Sequence, residues 1–168
     1  MQSDKFTALV RNAIGAAQSA ALAANHQKLT AEHVLAALLK DDNMTVKMLL
    51  AKAGADSASL SALLKAGLDK FPQVTGSGAG QLQLDADLAR IFSSVEAEAK
   101  ARHDQFIAVD LLLLAMAKST GSVGKILKKA GVEPAPLGAA IDEMRKGRTA
   151  DSDALKIAMM HYHAIQVT

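Results

Sequence analysis

The stretch "LTAEHVLAALLK", Leu29 to Lys40, returns later in the chain as "FIAVDLLLLAMAK", Phe106 to Lys118. Each is a nearly unbroken apolar run closed by a lysine, too short to cross a bilayer and too rich in Ala and Leu to read as a strand. A chain of 168 residues that writes one such phrase twice points to a duplicated unit. The flanking sequence repeats with it, as follows.

Helical periodicity starts after Thr7, a residue suited to an N-cap, and runs through Leu9, Val10, Ala13, Ile14, Ala17, Ala20 and Ala21 to the polar "NHQK". Thr30 caps a second helix carrying Val34, Leu35, Leu38 and Leu39. A third is expected after Thr45, with Val46, Leu49 and Leu50 on one face, stopping at Gly54. Asp56 or Ser57 starts a fourth with Leu60, Leu63, Leu64 and Leu68, closed by Phe71-Pro72.

The course then repeats. Asp85 caps a fifth helix with Leu88, Ile91, Phe92, Val95 and Ala99, and "RHDQ" ends it. Ala108 to Lys118 supplies the sixth. "SVGKILKKAG" matches "TVKMLLAKAG", each closing on Ala-Gly, at Ala130-Gly131 and Ala53-Gly54. "PLGAAIDEMRKG" matches "SLSALLKAGLDK", with Pro136 tolerated in the first turn. The offset is roughly 77 to 78 residues, with a one-residue slip before Thr45 or Ser122.

Between the halves "QVTGSGAGQLQ", with Gly76, Gly78 and Gly80, reads as a linker. The expected organisation is a first four-helix repeat over 1–72, a Gly-rich linker over 73–83, a second four-helix repeat over 84–147 and a tail over 148–168. Each repeat alone is too small to hide its apolar stripes. The fold class is therefore all-α, two pseudo-symmetric repeats packed as one eight-helix domain.

Composition agrees. Half the residues are hydrophobic but only 3% are aromatic, so the core must come from Ala, Leu, Val, Ile and seven Met. No cysteine is present, which removes disulfides, Cys-ligated zinc and thiol nucleophiles and fits a reducing, cytoplasmic setting. Net charge is +2 with dispersed basic residues, too even for a nucleic-acid patch. The N-terminal "MQSDKFTALV" carries Asp4 early and does not read as a signal peptide, and no membrane association is expected.

The paired "AEHVLAALL" and "VDLLLLAMA" helices, the twin Ala-Gly stops and the "FPQVTGSG" linker together resemble the Clp N-terminal repeat domain found at the front of Clp/Hsp100 AAA+ unfoldases. The Pro72-x-Val74-x-Gly76 run and "ARHDQFIAVDLLLLAMAKSTG" are most similar to the ClpB-like branch. The resemblance covers about residues 1 to 150.

It implies a module that docks unfolded or aggregated polypeptide for a hexameric, ATP-driven threading ring, in protein disaggregation. The alternative is a ClpA/ClpC-type module that docks an adaptor or co-chaperone. By the same resemblance Thr7, Asp104 and Asp110 are the substrate-contacting polar residues, beside an apolar groove lined by Ile91, Phe92, Val95 and Leu111. ATP and Mg belong to the ATPase modules of such parents, so no cofactor is expected in this chain, and the isolated domain is expected to be monomeric. After "MRKGRTADS" the sequence leaves the family pattern, "IAMMHYHAIQVT" having no match in it.

Rival chemistries fare poorly. The phosphate-cradling G-x-x-x-x-G-K-[ST] pattern is absent: "TGSGAGQLQ" lacks its lysine and "GSVGKIL" has the wrong spacing, so the chain is not expected to be an enzyme. His26 and His33 are separated by a loop, no Glu-x-x-His spacing occurs, and no metal is expected; His161 and His163 could chelate only from an extended tail. His33 reads as a satisfied polar residue at a helix start. Glu96 and Glu98, with Lys100 and Arg102 nearby, read as a solvated face. Asp110 and Thr7 also suit helix starts, as dipole partner and cap, so sequence alone leaves both roles open for them.

Overall fold

The structure, a computed structural model, describes residues 3–40, 44–76 and 80–150. Eight α-helices run through them: α1 Ala8–Ala23, α2 Ala31–Lys40, α3 Met44–Lys52, α4 Ser57–Asp69, α5 Ala86–Ala101, α6 Val109–Lys118, α7 Ser122–Lys129 and α8 Pro134–Arg145. Two paired dipeptides, β1 Lys28–Leu29 and β2 Gln83–Leu84, lie side by side in parallel. The all-α, twice-four-helix architecture expected from the repeat is the one found.

Local chemistry explains the starts and stops. Thr7, Asp56 and Asp85 each stand in extended backbone just before a helix and accept a hydrogen bond from an N–H of its first turn. Thr30 does the same for His33 at the start of α2. Helix α3 begins at Met44, so Thr45 sits inside its first turn rather than ahead of it. Pro134 takes the first position of α8, where its missing N–H leaves nothing unpaired, and Pro136 follows in the same turn. Gly54 and Gly131 end α3 and α7 in the left-handed region, φ +94° and +96°.

Helix α6 is the centre. From Val109 through Ala117 every residue is buried, because α3, α5, α7 and α8 all pack on it. Its counterpart α2 is only partly enclosed, with Ala36, Ala37 and Leu39 half-buried. The halves meet along two further seams, α3 with α8 and α4 with α7, and a single core contains residues of all eight helices. Where the seams cross, the two glycine turns abut: Asp56 donates its N–H to Ala130 O at 2.9 Å.

The inter-repeat connection is pinned at both ends against the α1–α2 turn. Val74 N–H donates to Asn25 O at 2.8 Å, and Asp85 N–H donates to Leu29 O at 3.0 Å. At the free end of this turn lies a small aromatic cluster. His33 Nδ1 accepts from Thr30 N–H at 3.1 Å, so its proton lies on Nε2, which donates to His26 Nδ1 at 2.8 Å. Phe71 stacks on His33 and meets His26 edge-on. Burial, and then the neighbouring His26, lower the His33 pKa to about 4.

Two consequences can be measured. A Cβ at Gly131 would stand 2.8 Å from the Gly54 carbonyl oxygen, whereas one at Gly54 would stand 3.7 Å from that of Gly131. Gly131→Ala is expected to cost about 1–3 kcal/mol in urea unfolding, and more than Gly54→Ala. For His33, the unfolded chain takes up protons below its ordinary value of 6.5 while the folded one resists until about 4. Stability should thus be full above pH 6.5 and fall as pH drops toward 4, and His33→Gln should flatten that slope in a pH series of thermal melts.

Candidate docking site and its family

The seven residues implied as a substrate site lie at the start of α1, on α5, and from the loop before α6 into α6 itself. Residues 5–7 lie along Ile107: Thr7 N–H donates to Ile107 O at 3.1 Å, and Ile107 N–H donates to Lys5 O at 2.7 Å. This tie carries the start of α1 onto the loop before α6, while Asp104 and Asp110 are brought together by Arg145. The Phe6 and Phe92 rings pack beneath, centroids 5.6 Å apart.

Their side chains face inward, however. The carboxylates of Asp104 and Asp110 have 0% exposure, and Arg145 runs between them. Arg145 Nε and Nη2 donate to the two oxygens of Asp110 at 2.6 and 2.8 Å, while Nη1 donates to Asp104 Oδ2 at 2.8 Å. Asp104 also accepts Ala150 N–H at 2.9 Å, and Asp110 accepts Leu111 N–H at 2.7 Å. Burial by itself would lower the Arg145 pKa, but the hydrogen bonds and charge of Asp110, then of Asp104, outweigh it and hold the guanidinium protonated. The two aspartates therefore do not form an open acidic rim. They clamp the end of α8 to the start of α6.

Thr7 is likewise buried, as the cap of α1. Ile91, Phe92, Val95 and Leu111 are all buried in the core among the described residues. The reason is packing: α6 is enclosed on every side, so Leu111 points into the molecule. Ile91 lines a cleft between α5 and α6, of about 180 Å³, which it shares with Arg90, Ser94 and Ala115.

The roomier groove lies at the equivalent place in the first half, between α1 and α2. It measures about 540 Å³ and is floored by Ala13, Ala16, Ala36 and Ala37, with Asn12 and Lys40 at its edge. Residue for residue, Ala13 stands where Ile91 stands and Ala16 where Ser94 stands, so truncated side chains hold open what larger ones fill. Helical periodicity picks out Ala13 alone among these alanines and leaves Ala16, Ala36 and Ala37 without a role. Their concentration on one face, opposite the alanines of the next helix, was the available signal. Arg145 was missed too, although it follows Leu137 and Ile141 at four-residue steps on the buried face of α8, a position that demands an acidic partner.

No group of three or more potential metal ligands occurs among the described residues, and no helix among them is long and apolar enough to cross a membrane. His161 and His163 lie outside the described residues.

Two four-helix units sharing one core, with a clamp at α6–α8 and a groove at α1–α2, define an all-α repeat domain. The chain matches the family model of the Clp repeat N-terminal domain over residues 5–130 and belongs to that family. It is 43% identical over 153 residues to the chaperone protein ClpB of Rhizobium meliloti, and 43% identical over 164 residues to that of Agrobacterium fabrum. Those stretches cover 90% and 93% of this chain but only 18% and 19% of the relatives, so the chain spans about a fifth of their length. Among solved structures, the Hsp104 N-terminal domain of Candida albicans superposes with a TM-score of 0.77 at 21% identity, covering 89% of this chain and 97% of that one. The N-terminal domain of the ClpV1 ATPase from an Escherichia coli type VI secretion system superposes with a TM-score of 0.71 at 17% identity, covering 89% and 90%. The domain is thus ClpB-like in sequence and Hsp100-like in fold.

The clamp can be tested through stability. Arg145→Ala leaves two carboxylates buried without a counter-charge and is expected to cost about 3–5 kcal/mol in denaturant unfolding. Thr7→Ala, which removes one cap, should cost only ~1 kcal/mol.

Proposed function

We propose that this domain captures exposed apolar segments of unfolded or aggregated polypeptide and delivers them to an ATP-driven ring formed by a larger parent chain. The observation that carries the reading is the alanine-floored groove between α1 and α2, about three times the volume of its counterpart between α5 and α6, in a chain with ClpB relatives. An alanine floor lets a client's Leu or Phe side chain approach the helix backbones, and Lys40 and Asn12 at the edge offer polar contacts to its main chain.

Burying one such side chain contributes about 1.5–3 kcal/mol. Lost translational and rotational freedom offsets several kcal/mol of that. Binding to one domain is then about micromolar or looser, which suits a loader that must release its client. Six copies around a ring would raise the effective affinity without any new contact.

Thr7, Asp104 and Asp110, the contacts implied by the family resemblance, fit this reading only where Arg145 leaves its place, since it now occupies both carboxylates. The α1–α2 groove needs no such repacking, and on that ground it is proposed as the first point of capture.

Titration of a permanently unfolded, Leu-rich polypeptide into the labelled domain distinguishes the two. Amide shifts are expected at Ala13, Ala16 and Ala37, and Ala16→Leu, which fills the groove, should weaken binding about tenfold. Shifts confined to Thr7, Asp104 and Asp110 would move the site to the clamp. Recovery of one folded adaptor in fixed stoichiometry, with no response to unfolded chains, would replace the reading by adaptor docking.

A further inference from the structure

The two seams between the halves are related by the repeat, yet one is finished and the other is not. In the register that superposes Gly54 on Gly131, α8 matches α4 and α7 matches α3, so the α3–α8 seam and the α4–α7 seam are counterparts. At α3–α8, where the two helices pack together, Met144 is 2% exposed and Leu49 is fully buried. Beside them Lys52 Nζ stands 3.6 Å from Glu143 Oε1.

At α4–α7 the matching residues are Gly67 for Met144, Ile126 for Leu49, Ala66 for Glu143 and Lys129 for Lys52. The large apolar side chain and the carboxylate are both missing. Ile126 is left half-exposed, its Cδ1 leaning to 3.3 Å from where a Cβ of Gly67 would be. A groove of about 330 Å³ remains, with Leu63 and Ile126 on its floor and Lys70, Lys125 and Lys129 around it.

None of these three lysines has an ion-pair partner among the described residues, whereas Lys65, on the same helix, is paired with Asp69 at 2.9 Å. The one carboxylate in the groove wall, Glu32, is buried and accepts the Ser122 hydroxyl at 2.7 Å, so it does not offset the exposed rim. The helix dipole explains a lysine at the ends of α4 and α7, but not Lys125, which stands in the middle of α7 where the other half has Met48.

We infer that the α4–α7 groove docks an acidic amphipathic segment of a partner protein, which supplies the apolar side chain and the carboxylate that Met144 and Glu143 supply at the other seam. The charge rim selects acidic over basic segments and the floor selects an unbranched or aromatic side chain over a purely charged one. The surface lies apart from the α1–α2 groove, shares no residue with its floor, and does not depend on the capture of unfolded chains.

The probe is a fluorescent amphipathic peptide with Glu and Met in adjacent positions, read by anisotropy against the whole chain. Saturable binding is expected, with amide shifts at Gly67 and Ile126. Ala66→Glu, at an exposed helix position, puts the missing carboxylate beside Lys129 and should weaken the peptide about tenfold while leaving the melting temperature the same or higher.

Replacing the peptide's Glu by Gln, or its Met by Ala, should each weaken binding several-fold. Binding that Ala66→Glu leaves unchanged overturns the assignment. So does equal affinity for a polyglutamate peptide without Met, or binding of phosphatidylglycerol vesicles in place of the peptide. Capture of the unfolded polypeptide by the Ala66→Glu chain should be unaltered, so this site and the α1–α2 groove fail or stand separately.

Discussion

A helix in which nine consecutive residues are buried can exist only if something covers it on every side, and that requirement organises this molecule. Helix α6 cannot be covered by its own repeat, which provides α5, α7 and α8; α3 of the other repeat closes the remaining side. The duplicated unit is therefore not two domains but one. The enclosure creates a problem as well. Asp110, in the first turn where the helix dipole favours a carboxylate, is sealed in with the leucines. A buried lone charge would destabilise the fold by several kcal/mol, and Arg145 with Asp104 turns it into a hydrogen-bonded clamp. Burial of α6 and the clamp are thus a single constraint seen from its apolar and its charged side.

The first repeat solves the same problem differently. Glu32 occupies the place of Asp110 in α2 and is also buried, but it takes a neutral partner, the Ser122 hydroxyl of α7. Because α2 is less enclosed than α6, a weaker partner suffices there. This difference runs through the whole molecule. The second repeat carries the narrower cleft and the first the alanine groove, while of the two seams α3–α8 is ion-paired and α4–α7 keeps bare lysines. Duplication supplied two copies of every surface, and only one of each was needed to hold the core together.

Much of this was legible in the sequence because helix starts and stops rest on local chemistry. Thr7, Asp56, Asp85, Gly54 and Gly131 act through their own neighbours within a turn, so their roles could be read without knowing the fold. The all-α repeat followed from periodicity of the same short range. The site residues were harder, since their accessibility depends on what packs against them. Asp104 and Asp110 stand just before the Leu run in sequence, where they could be exposed, but Arg145, thirty-five residues past Asp110, reaches back and covers both. Ile91, Phe92, Val95 and Leu111 lie on apolar faces that a groove and a core would share equally, and only the crossing of α6 by four other helices decides for the core. The start of α3 at Met44, one residue before Thr45, is a smaller instance, since a helix boundary is not fixed to the single residue by its cap signal.

Why, then, are any surfaces left unfilled? An apolar groove in water costs stability relative to a filled one, and the chain demonstrates within itself that the filled version is attainable. Replacing Gly67 by a larger residue, or Ala13 by the isoleucine its counterpart uses, would bring the first half toward the second. That the first half keeps Ala and Gly in these places, beside the solitary lysines of α4 and α7, is stability forgone at two surfaces that α6 does not need for its enclosure. The core is secured by one member of each pair of seams, which leaves its twin available for contact with other molecules. In a duplicated fold, docking surfaces are best sought where the two copies of one interface differ most in how completely they are packed.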